Sequence, residues 1–139
     1  MKRNRQKRSW KKRAGAALVE FAVVSPVMVL FTFGLIEMGR MTLVKQMITN
    51  ISREGARIAV LPGATNTSVQ TAVASQMSSA SFNGSTITIT PANITTAASG
   101  SNITVSVSIP AANVSWLPTP KFMLGRTLVS STTMRKESM

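Results

Sequence analysis

The stretch Arg13-Ala14-Gly15-Ala16-Ala17-Leu18-Val19-Glu20-Phe21, with the apolar run that follows it to Ile36, decides how this chain folds. It starts at the end of a basic segment, has a glycine at the boundary, and holds one carboxylate inside the apolar run. As one helix, residues 14–36 would span roughly 35 Å, which exceeds the hydrocarbon core of a bilayer at about 30 Å. The stretch therefore predicts a membrane-spanning helix, which we place at residues 16–36.

The apolar composition of this run outweighs its polar residues. Twelve of its side chains are Leu, Ile, Val or Phe, and together they favour insertion by on the order of 5 kcal/mol. Glu20 opposes insertion by at most roughly 3 kcal/mol, and by less near an end of the span. Pro26 removes one helical hydrogen bond and predicts a kink, which membrane helices tolerate. A buried core helix is the alternative, but so short a chain has little protein to surround it.

The segment before the span, residues 1–15, is a basic flank. Eight of the sixteen Lys and Arg residues lie in the first thirteen positions, and the formal net charge is +12. Because such a run buries almost nothing, we expect it to be unfolded in water. Its position before an apolar run favours a cytoplasmic flank that sets membrane orientation. A nucleic-acid-binding arm is the alternative, but no nucleic-acid-binding fold accompanies it, so we expect no nucleic acid partner.

The composition argues against catalysis. The chain has no Cys, no His and no Asp, and its four acids are Glu20, Glu37, Glu54 and Glu137. Thiol nucleophiles, histidine bases and nearly all zinc sites are thereby excluded. We expect no enzymatic activity, no metal, no cofactor and no small-molecule substrate.

Residues 37–61 continue the helix as an amphipathic segment. Apolar or small residues recur in steps of three and four and form a seam, which we call the inner seam: Met41, Val44, Ile48, Ile51, Gly55 and Ile58. The glycine predicts a close approach of another element. Glu54 can pair with Arg57 one turn later. The pattern leaves open whether the seam packs on the protein's own domain or on neighbouring subunits.

Residues 62–139 predict a small α+β domain outside the cytoplasm. Val69, Val73, Met77 and Ala80 mark one face of a short helix, capped by Asn66 or Thr67. Segments 85–90 and 103–109 alternate with period two and predict an antiparallel hairpin, and 127–134 predicts a third strand. Trp116 to Pro120 predicts a rigid connector with Trp116 as an anchor. The expected fold class is α+β, with the long N-terminal helix packed on a small antiparallel sheet.

Several motifs in residues 13–61 closely resemble the TadE-like family, which comprises minor pilins or pseudopilins of bacterial tight-adherence (Flp-type) pilus systems. The shared pattern begins with the basic flank and the Gly15-Ala16 to Glu20-Phe21 junction, and continues with an apolar run containing Pro26. It ends with an exit, Gly34-Leu35-Ile36-Glu37-Met38-Gly39-Arg40, and a box, Arg53-Glu54-Gly55-Ala56-Arg57. The resemblance implies a pilin-like fold and makes Pro26, Glu37, Gly39, Arg40 and the box residues family-motif positions.

The resemblance also implies processing and assembly. A prepilin peptidase at the cytoplasmic membrane would cut between Gly15 and Ala16, leaving Glu20 as the fifth residue of the mature chain, followed by Phe21. Glu20 and Phe21 would then serve subunit assembly and register. The implied partners are inner-membrane lipid, the peptidase, other pilins or pseudopilins and the pilus assembly machinery. The alternative is an uncleaved single-span membrane protein with an adhesive or envelope-binding domain outside.

Overall fold

The structure, a computed structural model, describes residues 3–116 and 125–137, with side chains from Gly15 onward. Its helices are α1 (Arg3–Val60) and α2 (Asn66–Ser79), with a short 3-10 turn at Ala111–Asn113. Its strands are β1 (Thr86–Thr90), β2 (Asn102–Pro110) and β3 (Thr127–Arg135). The chain divides into two compact units, residues 1–38 and 39–139, and α1 contributes to both.

The first unit is helical throughout its described part. The helix begins at Arg3, so the basic run is helical and the expectation of an unfolded flank is wrong for the backbone of residues 3–13. Lys, Arg and Gln are good helix formers, and the apolar run that follows continues the same helix. The helix runs through Pro26 without ending, and the hydroxyl of Thr32 donates to the carbonyl of Met28. None of the most apolar part of the helix is buried by protein, so the buried-core-helix alternative does not apply.

In the second unit, the inner seam of α1 packs on the domain's own core. Val44, Ile48, Ile51 and Gly55 are buried, and Met41 and Ile58 pack at the edge of the same cluster. Of the two partners that the sequence left open for this seam, the structure places the protein's own domain there. Helix α1 ends at Val60, and Gly63 follows with a φ of +77° in the turn that Pro62-Gly63 predicts.

The three strands form one antiparallel sheet in the order β1-β2-β3. Strand β2 lies in the centre and buries every second side chain against the helices: Ile103, Val105, Val107 and Ile109. The side chains between them, such as Thr104 and Ser106, lie on the outer face, where they form hydroxyl pairs with Thr133 and Ser131. The predicted hairpin, the third strand and the α+β class are therefore confirmed. The order of the strands was not fixed by their sequence patterns.

Helix α2 covers the core beside α1. Val69, Val73 and Met77 are buried as predicted, and Ala80 lies at the margin. Its N-cap is Thr65, whose hydroxyl accepts from the amide of Ser68 while the Ser68 hydroxyl accepts from the amide of Thr65. The prediction that Asn66 or Thr67 caps the helix was wrong, because Thr65 is the cap and the side chain of Asn66 makes other hydrogen bonds. Its amide group binds the loop after β1, through the carbonyl of Ala92 and the amide of Ile94.

The described part of the connector after the 3-10 turn differs from the sequence prediction. The side chain of Trp116 is 74% exposed, so it is not the buried anchor that its position predicts. Val114, two residues earlier, is buried and provides the anchor instead. The remainder of the predicted connector, residues 117–120, lies outside the described residues.

Candidate functional site

The predicted processing junction lies on an exposed stretch of α1. Gly15, Ala16, Glu20 and Phe21 are all exposed, and apart from the adjoining residues and backbone of the helix itself, no atom of the described chain lies within 4 Å of the position that a Cβ on Gly15 would occupy. Glu20 makes no hydrogen bond or ion pair within the described part of the chain. The Glu20 carboxylate must therefore be hydrated at the aqueous interface or paired with a group of another molecule.

The exit motif ends with an arginine that has a defined partner in the second unit. The Arg40 guanidinium Nε donates to the backbone carbonyl of Val114 over 2.6 Å. This bond holds the end of the 3-10 turn against the start of the domain's helical layer, and a charged donor makes it stronger than a neutral hydrogen bond. Gly39, by contrast, has open space where a Cβ would lie, so the described structure does not require a glycine there.

The box Arg53-Glu54-Gly55-Ala56-Arg57 divides into two halves with different surroundings. Gly55 and Ala56 point into the core and are buried. Arg53, Glu54 and Arg57 are exposed, and in the part of the chain that the structure describes none of the three forms a hydrogen bond or ion pair. The predicted pair between Glu54 and Arg57 does not form. The box therefore combines a packing element with a charged outer surface.

The packing half of the box depends on the absence of a side chain at Gly55. A Cβ there would lie 2.6 Å from Cγ2 of Val73 on α2 and 3.2 Å from Cγ1 of Val105 on β2. The first distance is shorter than van der Waals contact allows, so helix α1 approaches both neighbours more closely than any other residue would permit. This confirms the close approach that the inner seam predicts.

A cluster of hydroxyl groups next to the box was not foreseen. Ser52 is fully buried, and its Oγ donates to the carbonyl of Thr49 and lies 2.9 Å from Oγ1 of Thr132. Ser130 Oγ donates to Oγ1 of Thr49 over 3.1 Å, and the Lys45 ammonium donates to the carbonyl of Val129. These bonds attach β3 to α1 through polar groups, whereas β2 attaches through apolar ones. The sequence feature that could have indicated this cluster is Ser52, a serine within an otherwise apolar face of the helix.

Comparison with known proteins gives one family match, to part of the chain. A model of the family described as TadE-like protein matches residues 15–57. Residues 15–57 are thus similar to the TadE-like family. The match starts at Gly15 and ends at Arg57, and so contains the junction, the span, the exit motif and the box. Comparison with curated proteins and with solved structures gave no match.

The matched segment and the apolar helix largely coincide. In the described residues, one helix is long and apolar enough to cross a membrane, Gly15–Val60, and the match covers it as far as residue 57. Both observations fit a membrane protein associated with a Tad pilus. Helix α2 and the sheet lie beyond the matched residues, although both approach the box at Gly55.

Gly55→Ala should destabilise the second unit because its Cβ overlaps Val73 and meets Val105. Overpacking of this kind typically destabilises a folded domain by about 1–3 kcal/mol. The measurement is thermal unfolding of the full chain in detergent, followed by circular dichroism in the β-sheet region. Gly39→Ala is the matched control, since its Cβ has free space and alanine favours a helix by up to about 1 kcal/mol. Equal melting temperatures for the two variants would contradict the close approach at Gly55.

Proposed function

We propose that this protein is a minor pilin or pseudopilin that acts in the assembly of a tight-adherence (Flp-type) pilus. The observation that carries the proposal is that the TadE-like match and the exposed apolar helix occupy the same residues. A helix that no protein covers needs another apolar environment, and a bilayer supplies it. The small α+β domain then provides the surface that meets other pilus components.

The proposed orientation places the N-terminus in the cytoplasm and residues 62–139 outside the inner membrane. The distribution of positive charge supports it, because half of all Lys and Arg residues precede the span. Basic residues next to a span are retained on the cytoplasmic side. The outer face of the sheet, which is mostly Thr and Ser with Arg135 at the end of β3, suits an extracytoplasmic surface.

Processing by a prepilin peptidase is part of the proposal. The peptidase would cut the bond between Gly15 and Ala16 and leave the apolar helix in the mature chain. Gly15 has no side chain, and the space around it is open, so a protease can approach the backbone closely once the helix is locally unwound. The cut releases the basic flank and creates a free ammonium group on Ala16.

Intact-mass measurement of the chain extracted from membranes tests processing. We expect a mature chain that begins at Ala16, and we expect a Gly15→Val variant to begin at Met1, because a β-branched side chain blocks the close approach. Gly34→Val in the same helix is the control and should be processed normally, since it lies far from the junction. A wild-type chain that begins at Met1 in cells that make pili would refute cleavage and favour the uncleaved adhesive protein.

Glu20 has a proposed role in register. Its carboxylate lies four residues after Ala16 and has no partner in the described part of its own chain. An unpaired charge in an apolar layer is unfavourable, and pairing with the new ammonium of a neighbouring subunit removes the penalty. The pairing would fix how far one subunit is displaced along the next. Phe21, directly after it, would pack beside that contact.

Glu20→Ala should leave membrane insertion intact and reduce assembly. Removal of the carboxylate makes the span more apolar, so the variant should remain in the membrane fraction. The amount of chain in sheared pili should fall at least about tenfold, since a loss of roughly 1.4 kcal/mol per contact has that effect. Glu137→Ala, which removes an exposed acid far along the chain, is the control and should assemble normally. Unchanged assembly and register in Glu20→Ala would refute the pairing.

A further inference from the structure

Strand β3 forms one edge of the sheet, and the register of its pairing with β2 determines which of its backbone groups are free. Pro110 lies opposite Thr127, and because proline has no N–H this pair cannot exchange two hydrogen bonds. Bonded and non-bonded pairs alternate along an antiparallel ladder, so Val129, Ser131 and Thr133 also belong to the non-bonded kind. Their backbone N–H and C=O groups therefore point away from β2.

The side-chain contacts of β3 agree with this assignment. Side chains of non-bonded pairs lie closer together than those of bonded pairs, and the hydroxyl groups of Ser131 and Thr133 each lie within 2.9 Å of a hydroxyl on β2. The Lys45 ammonium of α1 donates to the carbonyl of Val129. Among the described residues, no other group bonds to the outward backbone of these three, so the edge is a row of free donors and acceptors.

A groove on α1 lies beside this edge. It has a volume of about 340 Å³ and is lined by side chains of one face of the helix: Lys45, Gln46, Thr49, Asn50 and Arg53. Two of the lining residues contact β3, since Thr49 accepts a hydrogen bond from the Ser130 hydroxyl and Lys45 donates to Val129. Side chains alternate between the two sides of a strand, so every second side chain of a strand added to β3 would point towards this groove.

The surroundings of the edge are basic. Among the described residues, the groove lining contains Lys45 and Arg53 and no acid. Arg126 directly precedes β3, and Arg135 ends it. Residues 39–139 as a whole contain eight Lys and Arg against two Glu, a formal net charge of +6. A segment with acidic side chains complements this charge, whereas a basic segment is repelled.

We propose that the free edge of β3 binds an extended, acidic segment of another protein. The segment adds a fourth strand to the sheet through backbone hydrogen bonds to the three outward residues of β3, and its inward carboxylates lie beside Lys45 and Arg53. The carbonyl of Val129 can accept from both Lys45 and the added strand, because its oxygen has two lone pairs. A second copy of this chain is a poorer occupant, since none of its described strands contains an acid and its own β3 ends in an arginine.

Binding of a fluorescent peptide to the full chain in a neutral detergent, measured by fluorescence anisotropy, tests the contact. The probe has nine residues, the length of β3, and alternates Glu with Thr. We expect this peptide to bind, and we expect a peptide with Lys in place of Glu to bind at least about tenfold more weakly, because the basic edge repels it. The assay involves no pilus, so its result is independent of the proposed function.

Two substitutions at Ser131 separate the backbone from the side chain. Ser131→Pro removes the outward N–H and leaves the bonds to β2 in place, since a sheet edge tolerates proline on that side. This variant should bind the Glu peptide about tenfold more weakly, because a carbonyl of the added strand loses its donor. Ser131→Ala keeps the N–H and is the matched control, with binding expected within about twofold of the wild-type chain.

A charge reversal tests the groove. Arg53→Glu should weaken binding of the Glu peptide about tenfold and strengthen binding of the Lys peptide. Arg57→Glu makes the same change of charge one turn further along α1 and outside the groove lining, so it should change binding by no more than about twofold. Both variants should remain folded, since neither arginine has a partner within the described chain, and circular dichroism checks this.

Four outcomes would overturn the proposal. Equal binding of the two peptides would refute an acidic partner. Unchanged binding in a folded Ser131→Pro chain would refute the edge, and unchanged binding in Arg53→Glu would refute the groove even if the proline variant does not fold. A chain that dimerises without peptide, and dissociates on Ser131→Pro, would show a second copy as the occupant. No binding at about 1 mM Glu peptide would refute the contact while leaving the proposed function intact.

Discussion

The close approach of Gly55 to Val73 and Val105 is the contact on which the second unit depends. It brings the backbone of α1 against both α2 and the central strand, so one residue of the helix contacts both other layers of the core. The two inner seam residues that precede it, Ile48 and Ile51, are buried in the same core cluster. A Cβ at this position would overlap Val73 and force the neighbouring side chains to shift, which disturbs the packing between the layers.

A second constraint acts on the same helix, because its two parts need different surroundings. From Gly39 onward most apolar residues of the helix face the protein core, and the exposed side chains are mostly polar, apart from Leu43 and Met47. Before Met38 the apolar residues lie on all sides, and no protein covers them. The change from apolar on all sides to apolar on one side occurs near the exit motif. There the side chain of Arg40 extends from the helix and donates a hydrogen bond to the carbonyl of Val114.

Periodicity was sufficient to predict most of the elements. The span, the inner seam, the face of α2 and the three strands all follow from where apolar residues recur, because burial dominates at those positions. The N-cap at Thr65, the exposure of Trp116 and the hydroxyl cluster around Ser52 did not follow from it. Each depends on which groups lie nearby in space: Asn66 is taken by the loop at Ile94, and Ser52 is satisfied by Thr132 of a distant strand. The helical backbone of the basic flank was missed because composition alone predicts an unfolded run.

The sequence predicted which residues form the candidate site, but it did not predict which of them pack in the core and which remain exposed. The sequence identified the box as a unit, whereas the structure separates Gly55 and Ala56, which pack, from Arg53, Glu54 and Arg57, which remain available to other molecules. A one-dimensional motif does not distinguish these roles, because adjacent residues of a helix point in different directions.

The central claim is that α1 is a membrane span at one end and a part of an extracytoplasmic domain at the other. Cysteine accessibility tests it most directly, with a membrane-impermeant maleimide applied to intact spheroplasts that carry either Leu30→Cys or Thr88→Cys. We predict labelling at position 88 from outside, and none at position 30 until the bilayer is dissolved. Leu30 is 70% exposed in the protein itself, so its own chain does not protect it, and protection that ends when the bilayer is dissolved comes from the membrane. Labelling at position 30 in intact membranes, or at position 88 only after lysis, would contradict the account.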